Sequence, residues 1–184
     1  MRPTETLMHE HEIILMVLDA AEREVRRMQE TDAVRTERLE QMVDFFRNFA
    51  DRCHHAKEEK LLFQAMAQRG IPVAGGPIGV MLAEHDQGRA YVRTIAEEGA
   101  RYAAGDLADS KPLVEAVKGY VTLLRQHIFK EDQILYPMAE QVLPVEAQHN
   151  LAQAFERVGR EEMGPGEHER YHALIETLER ALPN

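Results

Sequence analysis

At 184 residues, with 44% hydrophobic and 29% charged content, the chain has room for one globular domain with a sizeable core. A net charge of −10, with no Lys/Arg cluster as a local exception, argues against nucleic acid, whose phosphates it would repel. No apolar run approaches a membrane span, the N-terminus lacks a secretory leader's apolar core, and the single cysteine, Cys53, excludes an intrachain disulfide; a reducing, cytoplasmic setting is expected. Leu, Ala, Glu, Arg and Met dominate, all good helix formers.

The first helix is expected to open near Pro3 and run to about Glu30, with Leu7, His11, Ile14 and Leu18 on one face. Thr31 and Asp32 mark a turn. A second helix is predicted from about Arg35 to Arg69, closed by Gly70 with Pro72 just beyond. After a Gly/Pro-rich loop to Pro77, a third covers about Ile78 to Ala104, with Met81, His85, Gly88, Val92 and Ile95 inward. Asp109 or Ser110 can cap the fourth, which has Pro112 in its first turn. Its inward face reads Val117, Tyr120, Leu124, His127, Glu131, Ile134 and Met138, and Pro144 ends it. Two further helices are expected, about Val145 to Glu162 and, after a Gly-Pro-Gly turn, Glu167 to Leu182. The fold class is therefore all-α: an antiparallel up-down-up-down four-helix bundle over residues 1–143. Residues 144–184 form a C-terminal helical extension packed on it in the same domain.

One pattern occurs twice, about 73 residues apart. Glu10-His11 followed by His54-x-x-x-Glu58 is matched by Glu84-His85 followed by His127-x-x-x-Glu131. Positions i and i+4 of a helix lie on one face about 5–6 Å apart, so each His/Glu pair can point at a common ion. A buried glutamate is costly without a partner, and a pair of divalent metals supplies the missing charge. Four imidazoles and two carboxylates, His11, His54, Glu58, His85, His127 and Glu131, suit a pair of iron-like ions.

His55 and Glu59 have the same i, i+4 spacing as His54 and Glu58. At 100° per residue, His54 borders the apolar side of Leu39, Val43, Phe46, Ala50 and Leu61, while Glu59 falls nearly opposite. His54/Glu58 is therefore assigned to the metals, and His55/Glu59 is expected to be solvated, to support the ligands from outside or to add to them. Glu10, Glu84, Glu59 and Asp132 are candidates to orient the imidazoles, the last two being the more exposed choices. Cys53 reads as a buried structural thiol, and His9 and His149 as surface residues.

The segments LMHEHEII, CHHAKEEKLLF, VMLAEHDQG and HIFKEDQILYP resemble the hemerythrin-like HHE cation-binding domains over about residues 7–140. The resemblance implies a non-haem di-iron site in a four-helix bundle. Terminal ligands would be His11, His54, His85 and His127, and Glu58 and Glu131 would bridge two irons joined by an oxo or hydroxo group. Manganese and zinc accept the same donors. Oxygen-carrying hemerythrins place a second histidine one turn after the third-helix histidine, where this chain has Arg89. Water, a tyrosine, or His168 and His172 of the extension are the candidates to fill that place.

The function this implies is binding, sensing or reducing a small oxidant: dioxygen, peroxide or nitric oxide. The alternative is iron storage, donation or iron-centre repair, with an iron protein as partner, by resemblance to bacterial iron-centre repair proteins.

Overall fold

The computed structural model describes residues 1–106, 109–163, 170, 171, 173, 174 and 177, and among them every regular element is helical. Five rods succeed one another: α1 (Pro3–Thr31), α2 (36–67), α3 (Pro77–Ala103), α4 (111–142) and α5 (Val145–Met163). Their bounds fall close to those the sequence predicts, because Pro and Gly punctuate the chain where expected. Pro3 and Pro77 open α1 and α3, where the missing N–H costs nothing. Gly70, three residues past α2, adopts φ +92°, open to glycine at little cost. Asp109 accepts the Lys111 N–H at 3.0 Å at the start of α4, whereas Ser110 is engaged by Asp32. The predicted helix over Glu167 to Leu182 falls largely outside the described residues.

Two rods are irregular. In α2, Phe46–His55 and Glu58–Leu62 are π-helical, as is Glu131–Leu135 in α4. The N–H of Phe63 bonds the carbonyl of Glu58 and that of Tyr136 the carbonyl of Glu131, each five residues back. Such wide turns are rare and collect at functional sites. In α4 the wide turn ends two residues before Pro137, which has no N–H to give the ladder.

Each wide turn holds an extra residue and rotates the side chains beyond it. The expected inward positions Leu61, Ile134 and Met138 are displaced: Ile134 is exposed, and the other two are only partly covered. Leu62, Phe63 and Met66 face inward in α2, and Leu135, Tyr136 and Ala139 in α4. In the regular helices the 100° count holds, and Leu7, His11, Ile14 and Leu18 of α1 and the five α3 positions are all buried.

Helix α4 packs along α1 and α3, α2 packs against α3, and α5 lies on α1 and the π-helical part of α2. A Cβ at Gly119 of α4 would fall 2.5 Å from the Tyr91 ring of α3, so glycine is what admits that ring. The side chains form two apolar clusters. One includes Ile14, Leu18, Phe46, Ala50, Val92, Tyr120 and Ile128. The other includes Leu7, Leu62, Met66, Met81, Leu135 and Leu151. Each fully buried Leu or Ile in them contributes roughly 1.5–3 kcal/mol. Between the clusters every one of α1 to α4 places a histidine or glutamate, so a polar layer is sealed by apolar ones. No helix among the described residues is long and apolar enough to cross a membrane.

Candidate metal centre

His11, His54, Glu58, His85, His127 and Glu131 all turn into this layer and are at most 1% exposed. Their donor atoms form two groups, each within 4.8 Å: His11, His54, Glu58 and Glu131, and His55, Glu58, His85 and His127. Glu58 is common to both. Glu131 Oε2 lies 3.3 Å from His11 Nε2 and 3.1 Å from His127 Nε2, so it also reaches from one group to the other. Neighbouring donors on an octahedral ion at ~2.1 Å lie about 3 Å apart. The His85 and His127 Nε2 atoms are 3.0 Å apart, and His85 Nε2 is 3.4 Å from Glu58 Oε2.

A fit to metal can be judged from unmet polar atoms. Among the described residues, His54 Nε2, Glu58 Oε2 and both Glu131 carboxylate oxygens are buried without a hydrogen-bond partner. An unpaired buried polar atom costs ~1–3 kcal/mol, and more when charged. Four in one layer, all of metal-ligating type, are what a pair of cations would satisfy.

The far side of each ring is fixed. His11 Nδ1 donates to Asp132 at 2.7 Å, His54 to Glu10 at 2.9 Å, His85 to Glu59 at 2.7 Å and His127 to Glu84 at 2.9 Å. Held this way, each imidazole turns Nε2 inward, the arrangement that orients a metal ligand. Lys57 bonds Glu10, and Lys130 bonds Glu84. Lys57 and Lys130 are spaced by the same 73 residues as His54 and His127, so the duplication extends a layer beyond the ligands.

The two halves differ at two places. On the His85 side a third imidazole, His55, is 5% exposed and stacks on His85. On the His11 side Tyr136 stacks on His11 at 5.5 Å and donates from Oη to Glu58 Oε1 at 2.7 Å. Their counterparts in the repeat are Ile128 and Phe63.

Charge follows geometry. Burial works against the His11 imidazolium, but Asp132 and Glu131 outweigh it and raise its pKa to about 10. His85 is raised well above the ordinary range: burial lowers it, and Glu131, Glu58 and Glu59 overcome that. Burial would raise Glu131, yet His127, His11 and His85 hold it well below the usual carboxylate range. His55 goes the other way. Burial and the neighbouring His85 charge hold it far below ordinary histidine. Burial, Glu58 and Glu131 push the Tyr136 hydroxyl up, so it keeps its proton.

The model of the hemerythrin HHE cation binding domain matches residues 2–139, which contain every residue of this layer. The chain belongs to the hemerythrin family. Uncharacterized protein Rv1995 of Mycobacterium tuberculosis (strain H37Rv) is 24% identical over 152 residues, 83% of this chain and 59% of that protein. The uncharacterized protein Mb2018 of Mycobacterium bovis matches to the same extent. Iron-sulfur cluster repair protein YtfE of Yersinia pseudotuberculosis is 34% identical over 89 residues, 47% of this chain and 40% of that protein. This hemerythrin-family chain thus spans less than two thirds of the length of the curated relatives it matches. No solved structure is significantly similar to it.

Of the roles open to His55 and Glu59, the solvated one is taken by neither residue, and the two do not act as a pair. His55 enters the layer, and Glu59 stays at its edge, where it holds His85. Glu59 and Asp132 prove close enough to orient rings despite partial exposure. His168 and His172 lie outside the described residues. Cys53 is buried beside Lys57, and burial raises its thiol above the ordinary range. His9 and His149 are exposed, as expected. Missed by the sequence reading were Lys57, Lys130 and the role of Asp51, which accepts from His55 Nδ1 at 3.3 Å and from Arg89 at 2.8 Å. The shared 73-residue spacing was a signal for the two lysines; Asp51 has none in the repeat.

Proposed function

We propose that the chain holds two iron ions and uses them to bind, sense or reduce a small oxidant such as dioxygen, peroxide or nitric oxide. The proposed donors are His11, His54, Glu58 and Glu131 for one ion and His55, His85, His127, Glu58 and Glu131 for the other. The carrying observation is the set of four orphaned, buried ligating atoms facing one another. Iron held by these residues would supply the electrons for that chemistry.

The residues divide the remaining work. Glu10, Asp132, Glu59 and Glu84 hold four rings in register. The two apolar clusters keep bulk water out. The His11 side has one imidazole fewer, and there Tyr136 keeps a proton at Oη, donated to Glu58 until a bound oxidant offers a competing oxygen atom. In this reading Arg89 is no substitute ligand. His55, from α2, takes the place that oxygen-carrying hemerythrins fill from the third helix. The reading includes an antiparallel up-down-up-down bundle over 1–143 with 144–184 packed on it, and a cytoplasmic setting. The short connections and the pairing of α4 with α1 and α3 support that topology.

A second reading, iron donation or iron-centre repair with an iron protein as partner, is favoured by the likeness to YtfE proteins over about half the chain. Metal analysis with chelator challenge and optical titration separates the two. The first reading expects two irons per chain, retained against a mild chelator, and absorption that responds to peroxide, dioxygen or nitric oxide. Rapid iron loss without optical response selects the second. Manganese or zinc in place of iron overturns both.

A further inference from the structure

A cavity of about 320 Å³ opens between α2, α3 and α4 behind the metal-facing layer. Its floor is Phe46, Val92, Tyr120 and the bare backbone of Gly88. Its rim carries Arg47, Arg89 and Arg93, against one acidic lining residue, Asp51. On a chain of net charge −10, three guanidinium groups around one apolar floor are a local reversal of sign. Arg89 is engaged by Asp51, Glu59 and Asp86. Arg47 and Arg93 are exposed and have no carboxylate partner among the described residues.

Tyr120 adds a polar atom. The residue is 2% exposed, and its ring packs edge-on to Phe46 at 4.6 Å. Among the described residues no hydrogen bond engages its hydroxyl. Burial, with Asp51 nearby, pushes that hydroxyl far above its ordinary range, so it keeps a proton to donate. The volume is about ten times the ~30 Å³ of a water molecule, which is too large and too apolar for a bare inorganic anion. Cations at the mouth, a donor within and an aromatic-aliphatic floor fit one chemical class.

We propose that this cavity binds a small organic monoanion, a carboxylate of roughly six to ten heavy atoms, with its carboxylate between Arg47, Arg93 and the Tyr120 hydroxyl and its body on Phe46 and Val92. The site does not depend on the identity or reactions of the metals. It borders the metal-facing layer through one wall, because His55 lines the cavity. Arg89 connects two of the carboxylates that hold imidazoles: Asp51, which takes His55 Nδ1, and Glu59, which takes His85 Nδ1. An occupant that draws on Arg89 acts on both rings.

Isothermal titration of the purified full-length protein with hexanoate, benzoate, hexanol and inorganic phosphate tests the proposal. Hexanoate and benzoate should saturate one site with Kd of roughly 0.1–1 mM, and hexanol and phosphate should bind about tenfold more weakly or worse. Arg47→Ala/Arg93→Ala, at exposed positions that do not threaten folding, should weaken hexanoate about tenfold. Tyr120→Phe should weaken hexanoate and leave hexanol unchanged, and Gly88→Leu, which fills the floor, should abolish both. Hexanol binding as tightly as hexanoate would make this an unselective apolar cleft and overturn the proposal. So would phosphate binding equally well, or an Arg47→Ala/Arg93→Ala protein that binds hexanoate unchanged.

Discussion

His55 and His85 stack face to face across the α2–α3 interface, with ring centroids 3.8 Å apart and planes inclined by only 14°. Nothing in the duplicated half mirrors this pair, since the counterpart of His55 is Ile128, a buried residue of the apolar cluster. His55→Ile therefore copies a side chain the fold already accepts at the equivalent place. The variant should fold and keep the ion on the His11 side, and hold the other at least 10–100-fold more weakly, the range for lost supporting groups. Metal content after dialysis against graded chelator measures this. Two ions held as in the parent protein would remove His55 from the donor set.

The carboxylates behind the rings give a prediction of equality. Glu10 holds His54 and is held by Lys57; Glu84 holds His127 and is held by Lys130. Glu10→Ala and Glu84→Ala should each weaken one ion by about 10–100-fold, and by similar factors. Competition with a coloured chelator reads both. An effect confined to one variant means the two halves are not energetically equivalent.

Most of this architecture is legible in the sequence where helices are regular. His11 and His85 sit on 3.6-residue stripes, and counting places them correctly. The repeat also places Glu58 and Glu131, because both halves share the same irregularity and alignment does not depend on phase. What counting cannot see is the wide turn. Nothing in Phe46–His55 announces π geometry, and with it His55, whose place counting left open between solvent and the edge of the ligands, is 5% exposed. The same cause sends Ile134 outward and Tyr136 inward. Asp51 and Arg89 were illegible for another reason: their meeting is a tertiary contact across 38 positions, with no local pattern.

Tyr136 offers a separable test. Its counterpart Phe63 shows that a phenyl ring fits the equivalent place, so Tyr136→Phe should preserve packing and lose one hydrogen bond to Glu58. A loss of ~1 kcal/mol is expected, lowering Tm by about 2–4 °C for a chain of this size. Metal content should not change. The rate at which the iron-loaded protein consumes peroxide should fall, and a variant as fast as the parent would deny Tyr136 any part in proton supply.

Asp32 contributes one separable part of the acid limb of stability. It ends α1 at φ 49° and accepts from the Ser110 N–H at 2.9 Å and hydroxyl at 2.8 Å, tying the α1–α2 corner to the start of α4. Those bonds, the backbone one foremost, hold its pKa below the ordinary 3.8. A depressed folded pKa means the contribution is complete above the unfolded value and is lost as pH falls through the folded one. Asp32→Asn, which tolerates the left-handed backbone but lacks the charge, should thus be less stable than the parent at neutral pH. Urea melts at about pH 7 and about pH 3 should show that difference shrinking with acid. A constant difference across this range would assign the effect to shape instead of charge.

Removing the metals should cost the fold itself. Glu58 and Glu131 are wholly buried, and three of their four oxygens have no hydrogen-bond partner among the described residues. Stripping a buried charge of its partner typically costs about 3–5 kcal/mol, which corresponds to a fall in Tm of roughly 10 °C at this size. Metal added back should restore the loss. His127→Ala, which removes a donor shared with Glu131, should start from the lower Tm and respond less to both depletion and readdition. If depletion leaves the parent's melting curve unmoved, the imidazolium–carboxylate contacts alone suffice to hold this layer, and the orphaned atoms do not mark a metal requirement for stability.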